Sequence, residues 1–193
     1  MNDGQDAIVP CVVYDGLSYE DEAELYYRSD KAKRHLSTAQ ATKALVESES
    51  DPDINDIVHL IEDAGFVWVL ENRHGGVGEI SSTRAVIKAY HELGKDDFVR
   101  MLALLKNTWH GDPNSLLAAM ISGMSLFLKT YGSELSDKGF VDRLSSADPL
   151  EIGRKAKTDF STNKNALRYA KALWKRYNTA KRGGRKLPYR LEE

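Results

Sequence analysis

The stretch from Asp112 to Tyr131 reads DPNSLLAAMISGMSLFLKTY, and its pattern decides the fold class. Asp112 offers a carboxylate at a helix N-cap and Pro113 is preset for the first helical position, so a helix opens here. No charged residue occurs between 113 and 128. As a helix the segment is apolar nearly all round, the pattern of an element enclosed by others rather than one lying on a surface. It is too short, and too interrupted by Ser115, Ser122 and Gly123, to span a bilayer. A continuous helix over 113–131 at the buried centre of a helical bundle is therefore expected, with Leu117 and Ile121 both in the core.

Working outward, the neighbouring segments are helical as well. Val86, Ile87, Tyr90 and Leu93 form one stripe that stops at Gly94, and Phe98, Met101, Leu102, Leu105 and Trp109 form the next. Asp148-Pro149 repeats the opening device of Asp112-Pro113, and a last helix is expected over about 163–180. Nearer the N-terminus, Ser18 with Asp21 and Ser37 with Gln40 make capping-box starts, for helices to about Arg28 and Val46. Ile54, Ile57, Val58 and Ile61 share one face of a third helix that ends at Gly65. Short β-branched runs at 7–14 and 66–70 read as strands, the second returning through Val77–Ile80 as a hairpin over Gly75-Gly76-Val77-Gly78. The expectation is a mostly α fold with a small N-terminal β element, divided into an acidic part at 1–80 and a helical part at 81–193.

The bulk numbers agree with a globular chain. At 193 residues it is long enough to bury a substantial core, and 41% hydrophobic with 29% charged residues is not a disordered composition. The lone Cys11 excludes an intrachain disulfide framework and suits a reducing cytoplasm. The N-terminus lacks the basic start and long apolar run of a signal peptide, so a cytoplasmic bacterial protein without membrane contact is expected.

The formal net charge of −2 conceals a polar distribution. Residues 1–80 hold 6 basic and 17 acidic side chains, whereas 154–190 holds 13 basic residues and one acid, Asp159. In the last helix Lys164, Arg168, Lys171 and Lys175 are spaced four, three and four apart and so share a face, opposite Ala166, Ala170, Leu173, Trp174 and Tyr177. Lys181, Arg182, Arg185, Lys186 and Arg190 follow as a flexible basic tail that Pro188 keeps from helix. Such a block, nearly free of acids, is the electrostatic footprint of a polyanion binder.

Catalytic and metal chemistries find no support in the residues. A phosphate-binding loop needs lysine after its last glycine, and this chain has Glu79 there, a carboxylate that would repel the phosphate. Asp51, Asp53 and Asn55 mimic the start of a calcium loop, but Asp56 stands where the sharp turn requires glycine, so a helix-capping acid cluster is the better account. His35, His59, His74, His91 and His110 show no metal-ligand spacing, and the motif begun by His91-Glu92 meets Lys95. No catalytic residue, cofactor or metal is expected.

The run from Ile8 to Ala23, IVPCVVYDGLSYEDEA, resembles the end of a ParB-like N-terminal domain, where a "vPvvv" strand precedes an "lsdeEA" helix. RSDKAKRHLST, from Arg28 to Thr38, falls where such domains carry an "ENxQR…L" stretch, with Lys33, Arg34 and His35 as the loosely corresponding polar group. The rest resembles helical ParB-like proteins of phages and bacterial mobile elements, including the closing "aLwkrYN…kL" pattern from Leu173 to Leu187. ParB proteins bind a nucleotide through a Gly-Glu-Arg-Arg-like segment, and related proteins carry Asp-Gly-x-His-Arg there. This chain starts after that point, so the resemblance implies DNA-linked biology without nucleotide switching or cleavage, and a truncated gene or a split partner. The connection between the helices at 37–46 and 54–63 is too long for a helix-turn-helix.

The combined expectation is a non-enzymatic DNA-binding protein contacting phosphates through Lys164, Arg168, Lys171 and Lys175, aided by Lys181, Arg182, Arg185, Lys186 and Arg190. The alternative is a helical interaction module whose basic end docks on an acidic protein surface, including the acidic part of a second copy in a homo-oligomer.

Overall fold

A computed structural model of the chain describes residues 13–33, 36–71, 73–179 and 185–192, with backbone alone for 29–33. The described residues are mostly helical, with one small two-stranded sheet. The strand expected at 7–14 lies outside them except for Val13 and Tyr14, which are exposed and belong to no regular element.

The first three helices, α1 (Tyr19–Lys33), α2 (Thr38–Glu47) and α3 (Pro52–Asp63), start on the capping residues. Asp21 N donates to Ser18 Oγ at 3.2 Å while Ser18 N donates to Asp21 Oδ2 at 3.3 Å. Ser37 and Gln40 repeat this reciprocal pair at 3.3 and 3.1 Å. Asp51 accepts from the N–H groups of Asp53 and Ile54 at 3.0 and 3.2 Å, so the acids that imitate a calcium loop begin α3.

The expected hairpin is not formed. β1 (Val67–Trp68) and β2 (Glu79–Ile80) pair in parallel, with Val67 opposite Glu79. The connecting segment is drawn back on itself instead of reversing in a tight turn. Arg73 grips the Glu79 carboxylate through two contacts of 2.6 and 3.0 Å, and Gly76 N donates to the same carboxylate at 2.7 Å. A Cβ at Gly75 would lie 2.4 Å from the Glu79 carbonyl oxygen, so the path needs glycine there. Arg73, followed by the Gly76 amide, holds the Glu79 carboxyl down at about 2. The Gly-rich loop thus encloses the chain's own anion.

Next come α4 (Thr83–Leu93) and α5 (Lys95–Trp109), which present the two expected stripes. The continuous helix expected from 113 is interrupted. Asp112 caps as anticipated, accepting from Asn114 N at 2.8 Å, but Pro113–Leu116 makes only a 3₁₀ turn and Leu117 is extended. α6 (Ala118–Tyr131) begins after it. Hydroxyls occupy the carbonyls at the break: Ser115 Oγ donates to Asp112 O at 2.6 Å and Ser82 Oγ to Leu116 O at 3.0 Å. Leu117 is consequently 47% exposed, while Ile121 is 1% exposed.

α6 is nonetheless the centre of the bundle, with Met120, Ile121, Met124, Phe127, Leu128 and Tyr131 buried. α7 (Asp137–Leu144), α8 (Pro149–Asp159) and α9 (Asn165–Thr179) complete the chain of helices. α9 lies closest on α6, so close that a Cβ on Gly123 would be 2.4 Å from Tyr169 Cβ. The core runs without a break from Ile54, Ile57 and Ile61 of α3 to Leu173 of α9 and to Leu187 and Leu191. Each such side chain removed from water contributes about 1.5–3 kcal/mol. Among the described residues no helix is long and apolar enough to cross a membrane.

Candidate nucleic-acid interface

α9 buries Leu167, Tyr169, Ala170, Ala172, Leu173 and Tyr177, more than half of its circumference. Lys164, Arg168, Lys171 and Lys175 fall in the remaining arc of about 60°, at about 100° per residue. That arc is bounded on both sides. Towards α8 lie Ala172, Lys175, Arg176 and Thr179, which line a cleft of about 380 Å³ between the two helices. On the other side runs an ordered strap, residues 185–192.

The strap replaces the flexible tail expected there, although Lys181 and Arg182 lie outside the described residues. Trp174 Nε1 donates to Leu187 O at 3.0 Å, and Asn178 exchanges two bonds of 2.9 Å with the Leu187 backbone. Tyr189 packs edge-on against Trp174 with centroids 5.0 Å apart, and Arg190 N donates to Tyr131 Oη at 3.1 Å. The buried Arg143 guanidinium lies 4.3 Å from the Tyr177 ring centroid and donates to Tyr177 O and Arg185 O, both at 3.3 Å. With Leu187 and Leu191 buried, the backbone groups of Leu187, Arg185 O, Pro188 O, Arg190 N and Leu191 O have partners, and Pro188 is accommodated without helix.

The basic side chains divide into engaged and free. Lys175 Nζ contacts Asp159 Oδ2 at 2.9 Å, and this bond, more than the Thr158 hydroxyl, holds the Asp159 carboxyl below its ordinary value. Arg190 pairs with Glu134, and Arg185 reaches the same carboxylate at 4.0 Å. Lys171 Nζ stands 6.0 Å from the Tyr189 ring centroid, and Arg168 has a buried Nε without a hydrogen-bond partner. Lys164 and Lys186 are exposed, and neither meets a carboxylate among the described residues. Lys164 also stands just before the first turn of α9, which contains no acid, so the positive end of that helix is left uncompensated.

The ridge is therefore continuous through Lys164, Arg168 and Lys171, while Lys175, Arg185 and Arg190 are turned to carboxylates. Lys155 and Lys157 also stand exposed on α8, without an ion pair among the described residues, and Lys155 lines the cleft. Their signal lies in the basic block itself, but only the packing of α8 on α9 places them beside the ridge.

The chain belongs to the family of unknown function DUF6551, whose model matches residues 1–191. No curated protein and no solved structure matches it.

Proposed function

We propose that this chain is a non-enzymatic DNA-binding protein of ParB-like, mobile-element origin, contacting phosphates through the α9 ridge. The observation that carries the reading is the run Lys164, Arg168 and Lys171, aligned in the narrow outward arc of α9 and free of carboxylate partners among the described residues. The first turn of α9 carries no acid, which favours the same kind of ligand, since the helix dipole attracts anions there. The motif shared with helical ParB-like proteins also has a structural role here. Trp174, Asn178 and Leu187 of the "aLwkrYN…kL" pattern are the residues that fasten the strap beside the ridge.

Each phosphate neutralised releases counterion, with a log–log salt slope of about −0.9 per contact on duplex DNA. The three free ridge cations with Lys155 and Lys186 correspond to a slope of roughly −3 to −5. Changing Lys164, Arg168 and Lys171 together to Gln should weaken binding to all sequences alike, because phosphate contacts position without specifying.

One observation favours a second reading, docking on an acidic protein surface. Arg185 and Arg190 with Glu134, and Lys175 with Asp159, show this end of the molecule already meeting carboxylates. A salt titration with random-sequence duplex, run beside sedimentation at the same salts, separates the two. Loss of self-association in the triple variant, without DNA binding at about 50 mM salt, would replace the first reading with the second.

A further inference from the structure

We infer that the α8–α9 cleft is a seat for one nucleotide unit of a single strand that tracks the ridge, an inference that rests on the DNA-binding reading above. The cleft measures about 380 Å³, within the ordinary range of small-molecule sites. Its apolar wall is Ile152, Phe160 and Ala172, and its cations are Lys155, Lys175 and Arg176.

The cleft is lined by as many carboxylates as cations, so what it can bind depends on which of them are tied up in ion pairs. Of the acids lining the cleft, Glu151 pairs with Arg154 at 2.7 Å and Asp159 with Lys175 at 2.9 Å, while Asp148 accepts from Leu150 N at 2.8 Å as the N-cap of α8 and keeps its charge. What remains is Lys155, which among the described residues has no hydrogen bond or ion pair and meets Asp159 only through its charge, and Arg176. Among the described residues the Arg176 guanidinium donates to Ser146 Oγ, at 3.1 Å, and its buried Nε has no partner. Lys155 and Arg176 lie outside these ion pairs, and with Arg154 counted the cations exceed the carboxylates by one; above an apolar wall with one aromatic ring they suit an anionic group carried on a planar apolar body. A nucleotide has that chemistry, its phosphate meeting Lys155 and Arg176 and its base the Phe160 side.

Position links the cleft to the ridge. Lys175 continues the arc of Lys164, Arg168 and Lys171 and, paired with Asp159, lines the cleft, so a backbone following the ridge along α9 arrives at the cleft mouth. A paired base cannot enter a cleft of this kind, whereas an unstacked base of a single strand can.

The test measures fluorescence anisotropy of a labelled single-stranded oligonucleotide and of the matching duplex at equal salt, with the intact chain and three variants. Phe160→Leu keeps apolar volume and removes the ring, Lys155→Glu reverses an exposed charge, and the Lys164, Arg168 and Lys171 to Gln variant removes the ridge. Melting temperatures check that each variant folds. The expected result is tighter binding of the single strand, weakened at least about fivefold by Phe160→Leu, with duplex binding unchanged by that variant. Lys155→Glu should weaken the single strand as well. If both cleft variants bind single strands like the parent while the ridge variant does not bind, the cleft assignment is overturned and the ridge stands. If neither DNA form binds, titration with a nucleoside monophosphate decides the cleft. Saturation abolished by Lys155→Glu would keep the nucleotide seat, with free nucleotide as its ligand and the ridge reading lost. No saturation would end both.

Discussion

α1 with α2 and α8 with α9 are both pairs of charged helices, but their charges serve different ends. In the first pair the contacts that engage charged groups lie close by in the chain: Ser18 with Asp21, Arg28 with Glu24 at 2.6 Å, Lys43 with Glu47 at 3.9 Å. Such contacts stabilise a helix by a few tenths of a kcal/mol each and demand no tertiary structure. In return the pair buries little, only Ala23 among the described side chains of α1, and Thr42 and Ala44 of α2. The second pair is anchored through the apolar side of α9 on α6 and by the strap, and its cations have few acids nearby. A helix held by its buried side can leave its other side unmatched. Unmatched charge on a rigid element is what a polyanion needs.

The anchoring can be broken most severely at Ile121. Ile121→Asp buries an unpaired charge and should cost about 4 kcal/mol or more, unfolding the protein, whereas Leu117→Asp should change stability by less than about 0.5 kcal/mol. Urea denaturation of the two variants checks this, and equal losses would mean that the break before α6 does not exist in solution.

Strap and helix contact come next. Leu187→Ala empties a buried site and should cost about 2–4 kcal/mol. Gly123→Ala should cost about 1–3 kcal/mol, because its new Cβ must push α9 away. Neither should change exchange in α1, whose amides should already exchange faster than those of α6 and α9 in the parent protein. Hydrogen exchange resolved by segment would show it, and equal protection of α1 and α9 would contradict the difference in anchoring.

The smallest effect concerns Glu79. Its carboxyl is held at about 2, against an ordinary 4.5, by Arg73 and then the Gly76 amide. A depressed value in the folded state means that the contribution is fully present above 4.5 and disappears as pH falls towards 2. Glu79→Gln should therefore flatten the acid limb of the melting temperature between those limits while leaving the DNA binding proposed for the ridge unchanged at neutral pH. An acid limb identical to the parent's would show that the loop contact is not formed.

The helices were legible because their determinants are local. Capping boxes at Ser18 and Ser37, Asp-Pro openings at 112 and 148, and the stripes of α4 and α5 all act within a turn or two of chain. The mostly α fold and the outward line of Lys164, Arg168 and Lys171 follow from the same short range. Tertiary contact decided the remainder. β2 pairs in parallel with β1 where a hairpin was readable, with Gly78 N tied to Gly111 O at 2.8 Å, and the Ser82 hydroxyl donates to Leu116 O where a readable helix stops. Docking of Leu187 onto Trp174 and Asn178 made a strap of an apparent tail. The cleft exists only where α8 meets α9. Which cations stay free was decided in the same way, since Lys175 finds its acid 16 residues away and Arg190 finds Glu134 at a separation of 56. Helical periodicity sets the side of a helix on which a charge lies, but its neutralisation depends on which distant carboxylate the packing brings within reach.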